Sequence, residues 1–119
     1  MNTDFHWEIA QDGIAWLGVD KADTGTNVLT ESTLEQLDEV IVEIAQNHPQ
    51  GLVIHSAKAG GFIAGADVKA FAQVNDSQWA ERYMRRVHEI FQRIESLAFP
   101  SVAMVHGYCL GGGLELALA

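Results

Sequence analysis

A chain of 119 residues is long enough for one modest domain, and 48% hydrophobic with 19% charged residues is the balance of a water-soluble globular protein. Lys and Arg total 7 against 16 Asp and Glu, a net charge of −9 that argues against nucleic acid and anionic membranes as partners. Cys109 is the single cysteine, which excludes an internal disulfide and fits a reducing cytoplasm; the polar start Met1 to His6 reads as neither signal peptide nor membrane span.

In chain order, Phe5–Ala10 and Ile14–Val19 flank Asp12-Gly13, a turn pair between apolar runs, and predict a β-hairpin. Asp20 to Asn27 is polar and contains Gly25, so it reads as a loop. Ser32-Thr-Leu-Glu35 fits a capping box, and the helix behind it would bury Leu34, Leu37, Ile41 and Ile44 on one face before ending near Asn47-His48-Pro49. Gly51 precedes a strand, Leu52 to Ser56. A helix followed by a strand suggests α/β layering with some parallel pairing. Lys58 to Ala66 reads as a Gly- and Ala-rich loop, Asp67 to Phe71 as a short helix, and Asn75-Asp76-Ser77 as the start of a long one. The long helix would bury Tyr83, Val87, Ile90, Phe91, Ile94 and Leu97, with Glu81, Arg82, Arg85, Arg86, Glu89 and Arg93 on a solvated face. Pro100 bars continuation and opens a last strand, Val102 to Val105.

The chemistry concentrates after that strand. Gly107 breaks it, Gly111, Gly112 and Gly113 follow, and Leu114-Glu115-Leu116 resumes with good helix formers. A strand feeding a helix through glycines lets a ligand approach the backbone and leaves the first helical N–H groups aimed at it. Such groups can stabilise an oxyanion. Glu115 lies beside them in the first turn, either as an acid–base group or as a solvated carboxylate favoured by the helix dipole. The glycines, equally, could do no more than turn the chain.

Together, "GGFIAGADVKAF" and "HGYCLGGGLELALA" closely resemble the enoyl-CoA hydratase/isomerase (crotonase) family. The forms "FIAGAD" and "LGGGLELAL" are most similar to the hydratase domain at the N-terminus of the multifunctional α-subunit of bacterial fatty-acid oxidation. The resemblance spans nearly the whole chain and implies the N-terminal part of a crotonase-like ββα spiral, an α/β fold, over residues 1–119. It implies that the backbone N–H groups of Ala66 and Gly112 hold the thioester oxygen, and that Glu115 is the first catalytic glutamate. It also implies that Ala64, Gly65 and Ala66 lie along the adenine end of coenzyme A, with Lys69 and, less directly, Lys58 as candidate phosphate contacts. A surface lysine is more often simply solvated, and Asp67 more often caps a helix than does chemistry.

The implied reaction is addition of water to a trans-2-enoyl-CoA in β-oxidation. The family's second hydratase glutamate falls after Ala119, so isomerase or other acyl-CoA chemistry on the same oxyanion hole stays open, as does a catalytically silent binding fragment. Coenzyme A enters as part of the substrate, with no tightly bound cofactor expected and NAD only if a dehydrogenase domain follows. A homo-oligomer or a complex with a thiolase subunit is the expected assembly. Leu116-Ala-Leu-Ala119 is an uncapped apolar helical pattern, which reads as an excerpt of a longer protein. No metal-ligand set, P-loop or nucleophile elbow is present, and Cys109 reads as a structural thiol.

Overall fold

A computed structural model describes residues 4–65 and 77–119. The expected helix Asp67–Phe71 lies outside them.

Strands β1 (Phe5–Ile9) and β2 (Ile14–Val19) form the expected antiparallel hairpin. Gly13 turns it at φ 84°, and the Asp12 carboxylate accepts the Ile14 N–H at 3.0 Å. Helix α1 (Glu31–Gln46) starts earlier than the Ser32–Glu35 motif suggests. Its cap is Thr30, whose hydroxyl accepts the Thr33 N–H at 3.0 Å. Ser32 instead accepts from Gln36, and Glu35 turns to another helix.

Strand β3 (Gly51–Ser56) lies parallel to β2, and β5 (Ser101–Met104) parallel to β3, giving the order β1-β2-β3-β5. Side chains alternate across a sheet. The register aligns Ala15 and Leu17 with Leu52 and Ile54, all within 3% exposure, so these form the core face. Leu34, Leu37, Ile41 and Ile44 of α1 are buried with them. Helix α2 (Ser77–Glu95) adds Tyr83, Val87, Ile90, Phe91 and Ile94, as its spacing predicts; Leu97 packs just past its end. The opposite sheet face carries Trp16, Val53 and Val102 in register, with Met104 beside His55; Val102 and Met104 are 59% and 49% exposed.

The charged residues of α2 depart from a simple solvated face. Arg86 grips both Glu35 oxygens at 2.7 and 2.8 Å and reaches Asp38 at 2.7 Å; Arg93 takes the other Asp38 oxygen at 2.6 Å. Ion pairs thus fasten α2 to α1. The hydrogen bond from Arg86 holds the Glu35 carboxyl below its ordinary pKa, against the opposing effect of burial. A depressed carboxylate pKa stabilises the fold above the ordinary carboxylate range, and that stabilisation is lost as pH falls through it. Glu35 is half exposed, so the contribution is small.

Two short strands fall where the sequence suggests only loops. β4 (Gly61–Ile63) and β6 (Tyr108–Cys109) pair in parallel as a separate sheet, and α3 (Gly112–Leu118) follows β6. One side chain ties this sheet to the first. Asn27, 1% exposed, donates from Nδ2 to the Phe62 carbonyl at 2.8 Å, Ser56 Oγ at 2.9 Å and the Val19 carbonyl at 3.2 Å. Its Oδ1 accepts the Lys21 N–H at 2.9 Å, and its own carbonyl accepts the Ala64 N–H at 2.8 Å. Asn27 therefore joins β2, β3 and β4.

Truncation would strand several buried polar groups at once. Asn27→Ala is expected to lower unfolding free energy by about 3 kcal/mol, read from urea titration of the full reading frame.

Candidate active site

The site grows from the ends of β4 and β6. Parallel pairing sets Ile63 beside Cys109, and the Leu110 N–H donates to the Ile63 carbonyl at 3.1 Å. The loops that leave these strands, at Gly65 and at Gly111–Gly112, therefore emerge side by side. A methyl group on Gly65 would stand 3.4 Å from the Leu110 oxygen and 3.9 Å from the Gly112 nitrogen. Gly65 has φ +126° and Gly111 φ +49°, conformations that a side chain would strain.

Helix α3 begins at Gly112, two residues before the good helix formers. Packing explains the early start. A Cβ on Gly113 would lie 2.5 Å from the Ile63 carbonyl oxygen and 2.7 Å from the Ile63 Cβ, so only glycine lets this turn seat on β4. Gly113 donates to Leu110 at 2.8 Å and Glu115 to Gly111 at 3.1 Å, which closes the first turn. The Gly112 N–H, at the first helical position, meets no backbone acceptor among the described residues. Glu115 is exposed in that turn, and its carboxylate makes no hydrogen bond or ion pair with the described residues.

The other candidate residues sort differently. Ala64 is anchored to Asn27 through its N–H, and Gly65 to Leu29 through its carbonyl, at 2.8 Å each. Ala66 and Lys69 lie outside the described residues. Lys58 sits close by, but its ammonium is committed: it pairs with Asp20 at 2.7 Å and donates to the carbonyls of Lys21, at 2.9 Å, and Thr24. Its side chain is only 15% exposed. Three acceptors saturate three N–H donors, so Lys58 is a clamp on the 20–25 loop and has no donor left for a phosphate. Cys109 is partly buried against the core. His106 meets the Lys58 carbonyl through Nε2 at 2.7 Å, a contact between segments 48 residues apart in sequence.

Asn27, Leu29 and Tyr108 are supporting residues that motif reading passes over. Tyr108 donates to Thr26 Oγ1 at 3.1 Å and so ties β6 to the same 20–29 segment. An Asn followed by an apolar pair and a capping Thr was the available signal. Among the described residues, no three His, Cys, Asp or Glu cluster as metal ligands would, and no helix is long and apolar enough to cross a membrane.

A family model described as enoyl-CoA hydratase/isomerase matches residues 21–119. The chain belongs to the enoyl-CoA hydratase/isomerase family. It is 44% identical over 117 residues to a fatty acid oxidation complex subunit alpha of Aliivibrio fischeri, covering 97% of this chain and 17% of that protein. A subunit of the same name from Vibrio vulnificus is 38% identical over 116 residues, covering 97% and 16%. The chain thus spans about a sixth of the length of these relatives. Among solved structures, DspI of Pseudomonas aeruginosa superposes with a TM-score of 0.85 at 28% identity, covering 99% of this chain and 44% of that one. An enoyl-CoA hydratase of Bacillus anthracis shares the fold, with a TM-score of 0.87 at 23% identity over 98% of this chain and 45% of that one. The expected α/β crotonase-like architecture is therefore observed.

The tight seat at Gly113 is testable. Gly113→Ala is expected to destabilise the protein by about 1–3 kcal/mol through overpacking, whereas Gly25→Ala, which meets nothing within 4 Å, should stay within about 0.5 kcal/mol of wild type. Thermal unfolding of both variants reads the difference.

Proposed function

We propose that this chain supplies the thioester-activating part of a longer enzyme that adds water across the double bond of a trans-2-enoyl-CoA in fatty-acid β-oxidation. The observation that carries the reading is the convergence of Gly65 and Gly112 at the ends of two paired strands, with Glu115 one turn beyond. Membership of the enoyl-CoA hydratase/isomerase family and the likeness to fatty acid oxidation α-subunits support it.

Addition of water at C3 sends an electron pair through C2 onto the thioester oxygen. The Gly112 N–H and that of Ala66 would receive this charge. Donors fixed in advance stabilise an enolate without reorganising, and each is worth roughly 2.7–4 kcal/mol of barrier. Glu115 would accept a proton as water attacks and give a proton up to C2 as the enolate collapses, so that H and OH are added and the carboxylate is restored. Coenzyme A is part of the substrate. Lys69 is the lysine proposed to meet its phosphates, since Lys58 is engaged elsewhere. A reducing compartment such as the cytoplasm suits the lone thiol, and the relatives' name supports assembly within a fatty acid oxidation complex.

In the full reading frame, Glu115→Gln keeps the side-chain shape but cannot take a proton. Hydration of crotonyl-CoA is expected to fall by about 10²-fold or more while CoA-ester binding survives; turnover within a few-fold of wild type would remove Glu115 as the base. Conversion of a 3-enoyl-CoA without hydration would assign the isomerase reaction instead.

Lys69→Ala is expected to raise KM with little change in kcat, because a remote phosphate contact binds ground and transition states alike. Titration with a CoA ester at low salt checks it, and unchanged affinity would make Lys69 a surface charge.

A further inference from the structure

We propose that His6 and His55 form a binding site for a divalent transition metal on the sheet face turned away from the core. The register sets His6 of β1, Gly18 of β2 and His55 of β3 side by side. Residues in register on neighbouring strands point to the same face, here the face that carries Trp16 and Val53. Strands lie about 4.8 Å apart, so the two imidazoles spring from backbones roughly 10 Å apart, with only a glycine between them. His55 leans across that gap: a Cβ on Gly18 would stand 3.3 Å from its Cε1 and 3.5 Å from its Nε2. Trp16 braces the His55 ring edge-on, with centroids 6.0 Å apart and planes 67° apart. His6, Glu8, Trp16, Gly18 and His55 all line one shallow cavity of about 260 Å³.

The donor set selects the ligand. Neither imidazole makes a hydrogen bond or ion pair with the described residues, so their ring nitrogens are uncommitted. Neutral imidazole suits zinc, copper and nickel, whereas magnesium and calcium take oxygen ligands. Metal–nitrogen bonds of about 2.0–2.1 Å, as to zinc, draw two such rings together over the middle strand. Any side chain on Gly18 would stand in their way. The Glu8 carboxylate, two residues from His6 on the same face, favours a cation over an anion in this cavity. With two protein nitrogens and no third protein ligand, water completes the coordination, which makes the site open and exchangeable. A bound metal would bridge β1 to β3 across β2 and so fasten the hairpin to the parallel part of the sheet. No residue of this cavity belongs to the Gly65, Gly112 and Glu115 site.

The test titrates nickel(II) into the full reading frame by calorimetry, above the ordinary imidazole range, with magnesium as the control ion. Wild type is compared with His6→Ala, His55→Ala, Gly18→Val and His88→Ala, the last an exposed histidine of α2 remote from the cavity in sequence. Thermal unfolding without metal shows that each variant is folded, and His6→Gln or His55→Gln replaces an alanine variant that is not. Wild type should show a saturable one-to-one component, and its Tm should climb with nickel concentration. His6→Ala and His55→Ala should each weaken that component by more than about tenfold, since a direct ligand is worth at least what an outer partner is. Gly18→Val keeps both imidazoles but fills the gap, and should weaken binding as well; His88→Ala should match wild type. Absence of a saturable component in wild type would overturn the proposal, as would equal binding in both alanine variants. Loss in only one of them would leave a single surface histidine and overturn the pair. Unchanged affinity in Gly18→Val would overturn the bridging geometry, and an equal response to magnesium would reduce the effect to attraction by Glu8.

Discussion

The buried Asn27 amide is the constraint on which the rest of this arrangement depends. The central sheet is complete without β4 and β6, and nothing in its ladder dictates where the smaller sheet must lie. Asn27 supplies that link, with one side chain bonded to β2, β3 and β4 and its main chain bonded to Ala64. An amide is suited to such a junction because it donates and accepts from the same small plane. Buried in low dielectric, each bond is strong when made and expensive when broken. The same segment continues through Leu29 to Gly65 and through Thr30 into α1. One stretch of chain therefore sets the sheet junction, a helix cap and the approach to the site.

The larger elements were legible in the sequence because they bury regular faces. The hairpin follows from alternation about Asp12-Gly13, and both long helices from their apolar stripes. β4 and β6 were not legible. Strands of three and two residues have no periodicity to read, and they exist because each finds the other across a long separation in sequence. The cap of α1 was misread because Ser32 and Glu35 fit a local pattern while Thr30 holds the Thr33 N–H; tertiary partners, Gln36 and Arg86, claimed the other two. Lys58 looked like a free cation beside a glycine-rich loop, and only the fold brings Asp20 and two carbonyls to it. At the site, the motif placed Glu115 in the first helical turn, and the structure extends that turn back to Gly112. The closeness of Gly65 to Gly112 came from strand pairing and was not visible in either motif by itself.

The helices illustrate two ways of joining surfaces. α1 meets the sheet through Leu and Ile, which tolerate small shifts because apolar contact is non-directional. α1 meets α2 partly through Arg86, Arg93, Glu35 and Asp38, which do not. A bidentate guanidinium fixes both distance and orientation. That helps to register Tyr83 on α2 against Leu29, the residue before the Thr30 cap of α1.

The seat of Gly113 on Ile63 has a consequence for how such a protein can change over generations. The important information at this position is a missing atom. A codon change there has no conservative option, since even alanine adds the carbon for which there is no room. The exposed positions of the same helix, Leu114 and Leu118, meet no such barrier. Variation is thus confined by geometry to one side of a single turn, and a lineage could remake that outer side to suit new surroundings while inheriting the inner one unaltered.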